Sequence, residues 1–194
     1  MSGKKSRNVT KKGRLVIISG PSGSGKTTIC KQLTMNSRIK RSISYTTRNP
    51  RKGEKEGIDY HFIKRNEFEK LVDEGKLIEY EEYCGSLYGT PLGPIKETIK
   101  NGGTFILAVD VKGAMEIMRK ISKVTSIFIM PPDDDTLRQR LKERLTDSEV
   151  NINTRLEIAK EELKYKEYYD YCVINDQLYD TVKKIKRILN LPDD

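Results

Sequence analysis

The run Leu15-Val-Ile-Ile-Ser-Gly-Pro-Ser-Gly-Ser-Gly-Lys-Thr-Thr28 is a short apolar strand that opens directly into a glycine-rich turn. Gly20 and Gly25 enclose Pro21, Ser22, Gly23 and Ser24 and are followed by Lys26 and Thr27, which completes the pattern G-x-x-x-x-G-K-[ST]. Glycine lets the backbone turn tightly and aim several N–H groups at a polyphosphate. The Lys26 ammonium can reach the terminal phosphates, and the Thr27 hydroxyl can face Mg²⁺. Thr28 and the residues up to Leu33 read as a helix whose positive end points at the same anion. A chance glycine-rich turn would not stand between an apolar strand and a helix, so the segment implies a nucleoside triphosphate site.

The rest of the chain repeats this alternation of apolar strands and helices, the pattern of a parallel sheet flanked by helices. Leu15–Ser19, Thr104–Val109, Val124–Ile129 and Tyr171–Ile174 are apolar almost throughout, as suits strands buried on both faces. Helices are expected at Gly25–Met35, Pro91–Lys100, Val111–Lys120, Asp133–Leu145, Ser148–Tyr168 and Tyr179–Leu189. Pro131-Pro132 stops a strand, and Asp133-Asp134-Asp135 complements the dipole of the helix that follows. With 194 residues the chain fits one α/β domain. No apolar run approaches the roughly 20 residues that span a bilayer. The N-terminus reads as a basic tail over residues 1–13 rather than a secretory signal. Lys4, Lys5, Arg7, Lys11, Lys12 and Arg14 carry six of the net +9, leaving +3 on the remainder. Without tryptophan or an aromatic array inside a basic run, a dedicated nucleic-acid role has little support. The three cysteines, Cys30, Cys84 and Cys172, lack metal-site spacing and read as reduced thiols of a cytoplasmic protein.

Residues 41–90 break the rhythm. Short strands are expected at Arg41–Thr46, Asp59–Phe62, Leu77–Tyr83 and Leu87–Gly89, with a helix opened by a capping box at Asn66-Glu-Phe-Glu69. A compact mixed insertion after the first strand and helix suits a subdomain for a second substrate. Ser44-Tyr-Thr-Thr-Arg48-Asn-Pro-Arg51-Lys-Gly-Glu54 places two arginines around a proline turn. Planar guanidinium forks suit phosphate oxygens, and Tyr60 and Tyr88 can add hydroxyl donors. On charge pattern alone a solvated basic loop competes with that reading, and the upstream glycine-rich loop decides between them.

Taken in order, Ile18–Thr28, Ser44–Glu54, Gly57-Ile-Asp-Tyr60, Leu77-Ile-Glu79-Tyr and Leu87-Tyr-Gly-Thr90 closely resemble guanylate kinases. The resemblance continues through Asp110-Val-Lys-Gly113, Pro131-Pro132, Arg140–Arg144, Asn153-Thr-Arg155-Leu and Val173-Ile-Asn175-Asp176, and covers about residues 14–190. It implies an α/β fold: a P-loop parallel-sheet core (14–40, 91–137 and 157–194), a small mixed-β GMP-binding insertion (about 41–90) and a helical lid (about 138–156). It implies the reaction ATP + GMP ⇌ ADP + GDP with Mg²⁺, with dGMP as a second acceptor, in cytoplasmic purine nucleotide metabolism. A monomer or homodimer is expected, with no membrane and no specific nucleic-acid partner. By position, Ser44 and Glu79 match the guanine-reading residues. Arg48, Arg51, Tyr60 and Tyr88 match the clamp on the GMP phosphate, and Thr90 helps hold the base. Asp110 matches an acidic residue near the acceptor and is the candidate to join Thr27 at Mg²⁺ through water. Arg140, Arg144 and Arg155 match the lid, with Lys26 and Arg48 completing the catalytic set. Arg144 and Asn175 join the loop as ATP contacts, Asn175 beside the adenine. The chemistry agrees: a carboxylate at Glu79 can pair with guanine N1–H and N2–H₂, which adenine does not present.

Two residues depart from the family pattern. Ala108 stands where Asp or Glu is usual, and Leu145 follows Arg144 where glycine is common. His61, the one histidine, reads as an ordinary side chain, because the GMP phosphate is already a nucleophile that needs alignment rather than deprotonation. Two other functions use this fold. Scaffold modules bind phosphopeptides in the acceptor site but typically lose the nucleotide machinery, which Gly20–Thr27 and the lid arginines retain. A kinase for another nucleotide or sugar phosphate would lack the acceptor residues.

Overall fold

The computed structural model describes residues 13–35, 39–51, 53–83, 85–143 and 149–192. Its centre is a parallel sheet of five strands, in the order β2 (Ile39–Arg41), β7 (Thr104–Ala108), β1 (Arg14–Ser19), β8 (Val124–Met130), β9 (Tyr171–Ile174). Apolar residues on both sides of β1 explain its continuous hydrophobic run. Leu15 and Ile17 pack with Phe105, Leu107 and Phe128 against α3 (Leu92–Lys100) and α4 (Val111–Lys120). Val16 and Ile18 pack on the other face with Ile127, Ile129 and Val173 against α1 (Lys26–Leu33) and α7 (Leu178–Ile188). All four β1 side chains are at most 2% exposed, so each contributes close to its full burial energy, about 1.5–3 kcal/mol. The carboxyl ends of β1, β7, β8 and β9 therefore lie along one rigid edge, where open α/β sheets place their ligands.

The second sheet, β4 (His61–Phe62), β3 (Tyr45–Thr46), β6 (Ser86–Pro91) and β5 (Leu77–Tyr83), is mixed, with β3–β6 and β5–β6 antiparallel. The strand expected over Arg41–Thr46 is in fact divided between the two sheets. Ile39–Arg41 pairs with β7, and Ser42 N–H still donates to Ile106 O at 3.0 Å. Two residues later Ser44 O accepts from His61 N–H at 2.9 Å, and the chain has changed sheets. β2 escaped the sequence reading because an edge strand of three residues carries only one buried apolar side chain, Ile39. The capping box also moves. Helix α2 begins at Arg65, and the Glu67 carboxylate accepts from Lys64 N–H at 2.8 Å, two residues before the expected position. Lys31 Nζ meets Asp59 Oδ1 at 3.0 Å and Arg41 donates to Ile58 O, joining the second sheet's loop to the core.

Helix α5 (Asp134–Glu143) is capped as expected, with Asp133 Oδ1 accepting from Thr136 N–H at 2.6 Å. Leu137 and Leu141 of α5 bury against Leu156 and Ala159 of α6 (Glu149–Leu163), forming a small separate core. The last residues expected in α6, Lys164–Tyr168, tighten into a 3₁₀ turn.

Candidate active site

The glycine-rich loop leaves the end of β1 and enters α1 at Gly25, whose φ of +95° is a left-handed conformation. Directly beneath it lies Asn175, at the end of β9, 5% exposed and donating through Nδ2 to Ser24 O at 2.8 Å. A Cβ on Gly25 would lie 2.2 Å from that Nδ2. Gly25→Ala should therefore lose stability on the order of 3 kcal/mol, combining left-handed strain with loss of a buried hydrogen bond. Urea unfolding of the two proteins checks this, and equal midpoints would show that Asn175 does not brace the loop. Lys26 Nζ donates to Gly20 O at 2.6 Å and Pro21 O at 3.0 Å, so its ammonium is folded over the loop.

A cleft of about 500 Å³ runs from this loop to the second sheet. Of the residues singled out in the sequence, Ser22, Gly25, Lys26, Thr27, Ser44, Arg48, Arg51, Tyr60, Glu79, Tyr88, Thr90, Asp110 and Arg155 line it. Gly20, Pro21, Gly23, Ser24 and Thr28 shape the loop or the first turn of α1 without lining the cleft. Asn175 supports the loop from below through that hydrogen bond. Arg140 does not line the cleft: it donates to Asn175 O at 3.0 Å and Asp176 O at 3.5 Å, holding α5 to the end of β9. Arg144 and Leu145 lie outside the described residues, as does Cys84.

The wall of the cleft away from the loop is built by strand register. Glu79 faces Thr90 across β5–β6, and Glu81 faces Tyr88. Ser44 Oγ lies 3.4 Å from Thr90 Oγ1. Arg48 is locked by Glu54, which accepts from Nη1 at 2.9 Å and Nη2 at 3.0 Å, while Nε donates to the Tyr88 hydroxyl at 3.2 Å. The guanidinium carbon stands 5.4 Å from the centre of the Tyr60 ring, a cation–π geometry. Glu54 also accepts from Arg51 N–H at 2.7 Å, fixing the turn that carries both arginines. The sequence pattern gave Glu54 no role of its own. Its signal was the carboxylate six residues after Arg48, inside the same turn.

Carboxyl groups gather where the second sheet meets α4. Glu79 is 7% exposed, and its carboxyl is pushed up to about 7. Burial is the main cause, and the neighbouring Asp110 and Glu116 carboxylates add to it. A hydrogen bond with Thr90 and the Lys120 ammonium oppose it. Glu81 is pushed up to about 8, first by burial and then by its hydrogen bond to Asp110. Asp110 Oδ1 accepts from Gly113 N–H at 2.7 Å and caps α4. Glu81, Lys112, Ile158 and Glu162 also line the cleft and were missed, since only the fold brings α4, α6 and β5 together. Ala108, at the end of β7, also lines the cleft and brings only a methyl group. His61 Nδ1 sits 2.9 Å from Glu56 Oε1 and is not among the residues lining the cleft.

Among the described residues no three His, Cys, Asp or Glu side chains form a metal cluster. The cleft's oxygen donors fit Mg²⁺ all the same, because that ion takes few protein ligands and fills its octahedron with phosphate oxygens and water. No helix among the described residues is long and apolar enough to cross a membrane.

A family model described as "Guanylate kinase" matches residues 12–191. Among curated relatives, "Guanylate kinase" of Desulfitobacterium hafniense (strain Y51) is 41% identical over 178 residues, covering 91% of this chain and 89% of the relative. "Guanylate kinase" of Shouchella clausii (strain KSM-K16) is 43% identical over 179 residues, covering 92% and 87%. The crystal structure of guanylate kinase from Anaplasma phagocytophilum superimposes with a TM-score of 0.78 at 35% identity, covering 93% of this chain and 86% of that one.

Proposed function

The chain belongs to the guanylate kinase family, and on that premise we propose that it transfers the γ-phosphoryl group of ATP to the phosphate of GMP, with dGMP as a second acceptor. The observation that carries this reading is one continuous cleft holding a phosphate loop at one end and, at the other, a buried carboxyl beside an arginine–tyrosine clamp. In this reading residues about 41–90 receive GMP, about 138–156 form the lid, and the reaction serves cytoplasmic purine nucleotide metabolism.

The loop N–H groups and Lys26 hold the ATP phosphates. Arg48, Arg51, Tyr60 and Tyr88 hold the acceptor phosphate, with Arg48 already oriented by Glu54. The loose transition state spreads charge over equatorial oxygens, so catalysis is largely alignment plus cationic stabilisation. Arg155 lines the cleft from α6 and supplies charge there, while Arg140 fixes α5 behind it. Arg144 completes the lid set by resemblance. The Thr27 hydroxyl, with Asp110 through water, would hold Mg²⁺, which would supply positive charge against the phosphates. Closure of the lid excludes water that would otherwise take the phosphoryl group. A coupled ADP-release assay across GMP, dGMP, AMP, CMP and UMP tests the proposal. Turnover confined to GMP and dGMP is expected, and preference for any other acceptor rejects it.

Glu79 ties acceptor binding to pH. Guanine N1–H and N2–H₂ are both donors, so they need the ionised carboxylate. A group with its pKa near 7 is mostly protonated below that pH, and binding must then expel a proton. KM for GMP should therefore rise as pH falls from 8 to 6, approaching about tenfold per unit below the pKa, while KM for ATP follows no such trend. A GMP profile parallel to that of ATP would place the titrating group elsewhere.

A further inference from the structure

The antiparallel register of β5 and β6 divides the acceptor wall into two rows, Glu79 opposite Thr90 and Glu81 opposite Tyr88. Residues i and i+2 of a strand face the same way, and both glutamates line the cleft. The rows stand about 7 Å apart, twice the rise per residue of a strand. In the reading given above, the first row takes the base and the Tyr88 row lies at the phosphate clamp, so the sugar falls between them. Glu81 is out of place as a phosphate contact, since a carboxylate repels a phosphate. It is an acceptor that needs donors, and the donors a nucleotide offers between base and phosphate are the ribose hydroxyls.

We propose that Glu81 recognises the 2′-hydroxyl of the acceptor nucleotide's ribose and makes the site favour a ribonucleotide over its 2′-deoxy counterpart. The Glu81–Asp110 hydrogen bond occupies one Glu81 oxygen and leaves the other to accept from the 2′-hydroxyl, which a deoxyribose lacks. Asp110, which lines the cleft beside Glu81, is itself fixed as the cap of α4 by Gly113 N–H at 2.7 Å. This rests on the cleft being the GMP site and makes dGMP the poorer of the two acceptors.

The test is kcat/KM for GMP and for dGMP at saturating ATP in the wild type, Glu81→Ala and Glu81→Gln. Loss of one hydrogen bond at this half-buried position supports a wild-type GMP preference of about tenfold. Glu81→Ala should bring the ratio close to one, and Glu81→Gln, which keeps one acceptor oxygen in the same shape, should fall between. A merely structural role lowers both efficiencies together and leaves the ratio in place. A wild-type ratio near one, or a ratio unmoved in both variants, overturns the proposal. Absence of transfer to either nucleotide in the wild type instead removes the reading of the cleft on which it rests.

Discussion

Lys26→Met should reduce turnover by about three orders of magnitude or more at saturating ATP and GMP, with the fold preserved. Charge develops on oxygens of the transferring group, and removing one pre-positioned donor from such a site costs roughly 10²- to 10³-fold. Lys26 supplies a full positive charge as well as donors, so its loss belongs at or beyond the upper end. Methionine keeps much of the length and apolar stem. The substitution removes the hydrogen bonds from Nζ to the loop carbonyls Gly20 O and Pro21 O, at a half-buried position that water can reach. Thermal unfolding should therefore shift by only a few degrees. Wild-type turnover in a folded Lys26→Met protein would remove Lys26 from the chemistry.

What made the loop legible was local. Glycines at fixed spacing, an apolar strand before and a helix after are all consecutive in the chain, and β1 is buried on both faces as its unbroken hydrophobic run implies. The residues of β8 and α4 also agree closely with those expected, whereas β9 has the expected span but, as the edge strand, leaves Tyr171, Cys172 and Ile174 exposed where burial on both faces was expected. What could not be read was set by distant partners. Asn175 braces Ser24 across 151 positions, a pairing that neither local sequence announces. Arg140 shares a helix with residues of the lid, yet its direction is fixed by carbonyls at the end of β9. Ile39–Arg41 joins the parallel sheet through β7 even though its polar residues resemble those of the insertion that follows. Glu81 reads as one of several acidic residues on an alternating strand until α4 brings Asp110 against it.

Glu79→Gln should lower kcat/KM for GMP steeply and collapse the preference for GMP over AMP, which in the wild type should reach on the order of 10⁴. The amide replaces one acceptor oxygen with an NH₂ group that opposes a guanine donor. At 7% exposure there is little water to relieve the mismatch. Stability should move the other way. A carboxyl whose pKa rises from 4.5 to about 7 on folding contributes stability below the unfolded value and loses it as pH climbs through 7. At pH 8 the buried charge is a cost that glutamine lacks, so Glu79→Gln should be at least as stable as the wild type there. Lost GMP selectivity in a protein of undiminished stability separates base reading from damage to the fold. An unchanged GMP/AMP ratio would shift guanine recognition to Ser44, Thr90 or Asp110.

The most direct measurement follows the phosphoryl group itself. With ATP labelled at the γ-phosphate, Mg²⁺ and equal GMP and AMP, the label should pass into GDP, with little in ADP formed from AMP and little in inorganic phosphate. Label accumulating in inorganic phosphate or in an acceptor other than the guanine nucleotide would contradict the account.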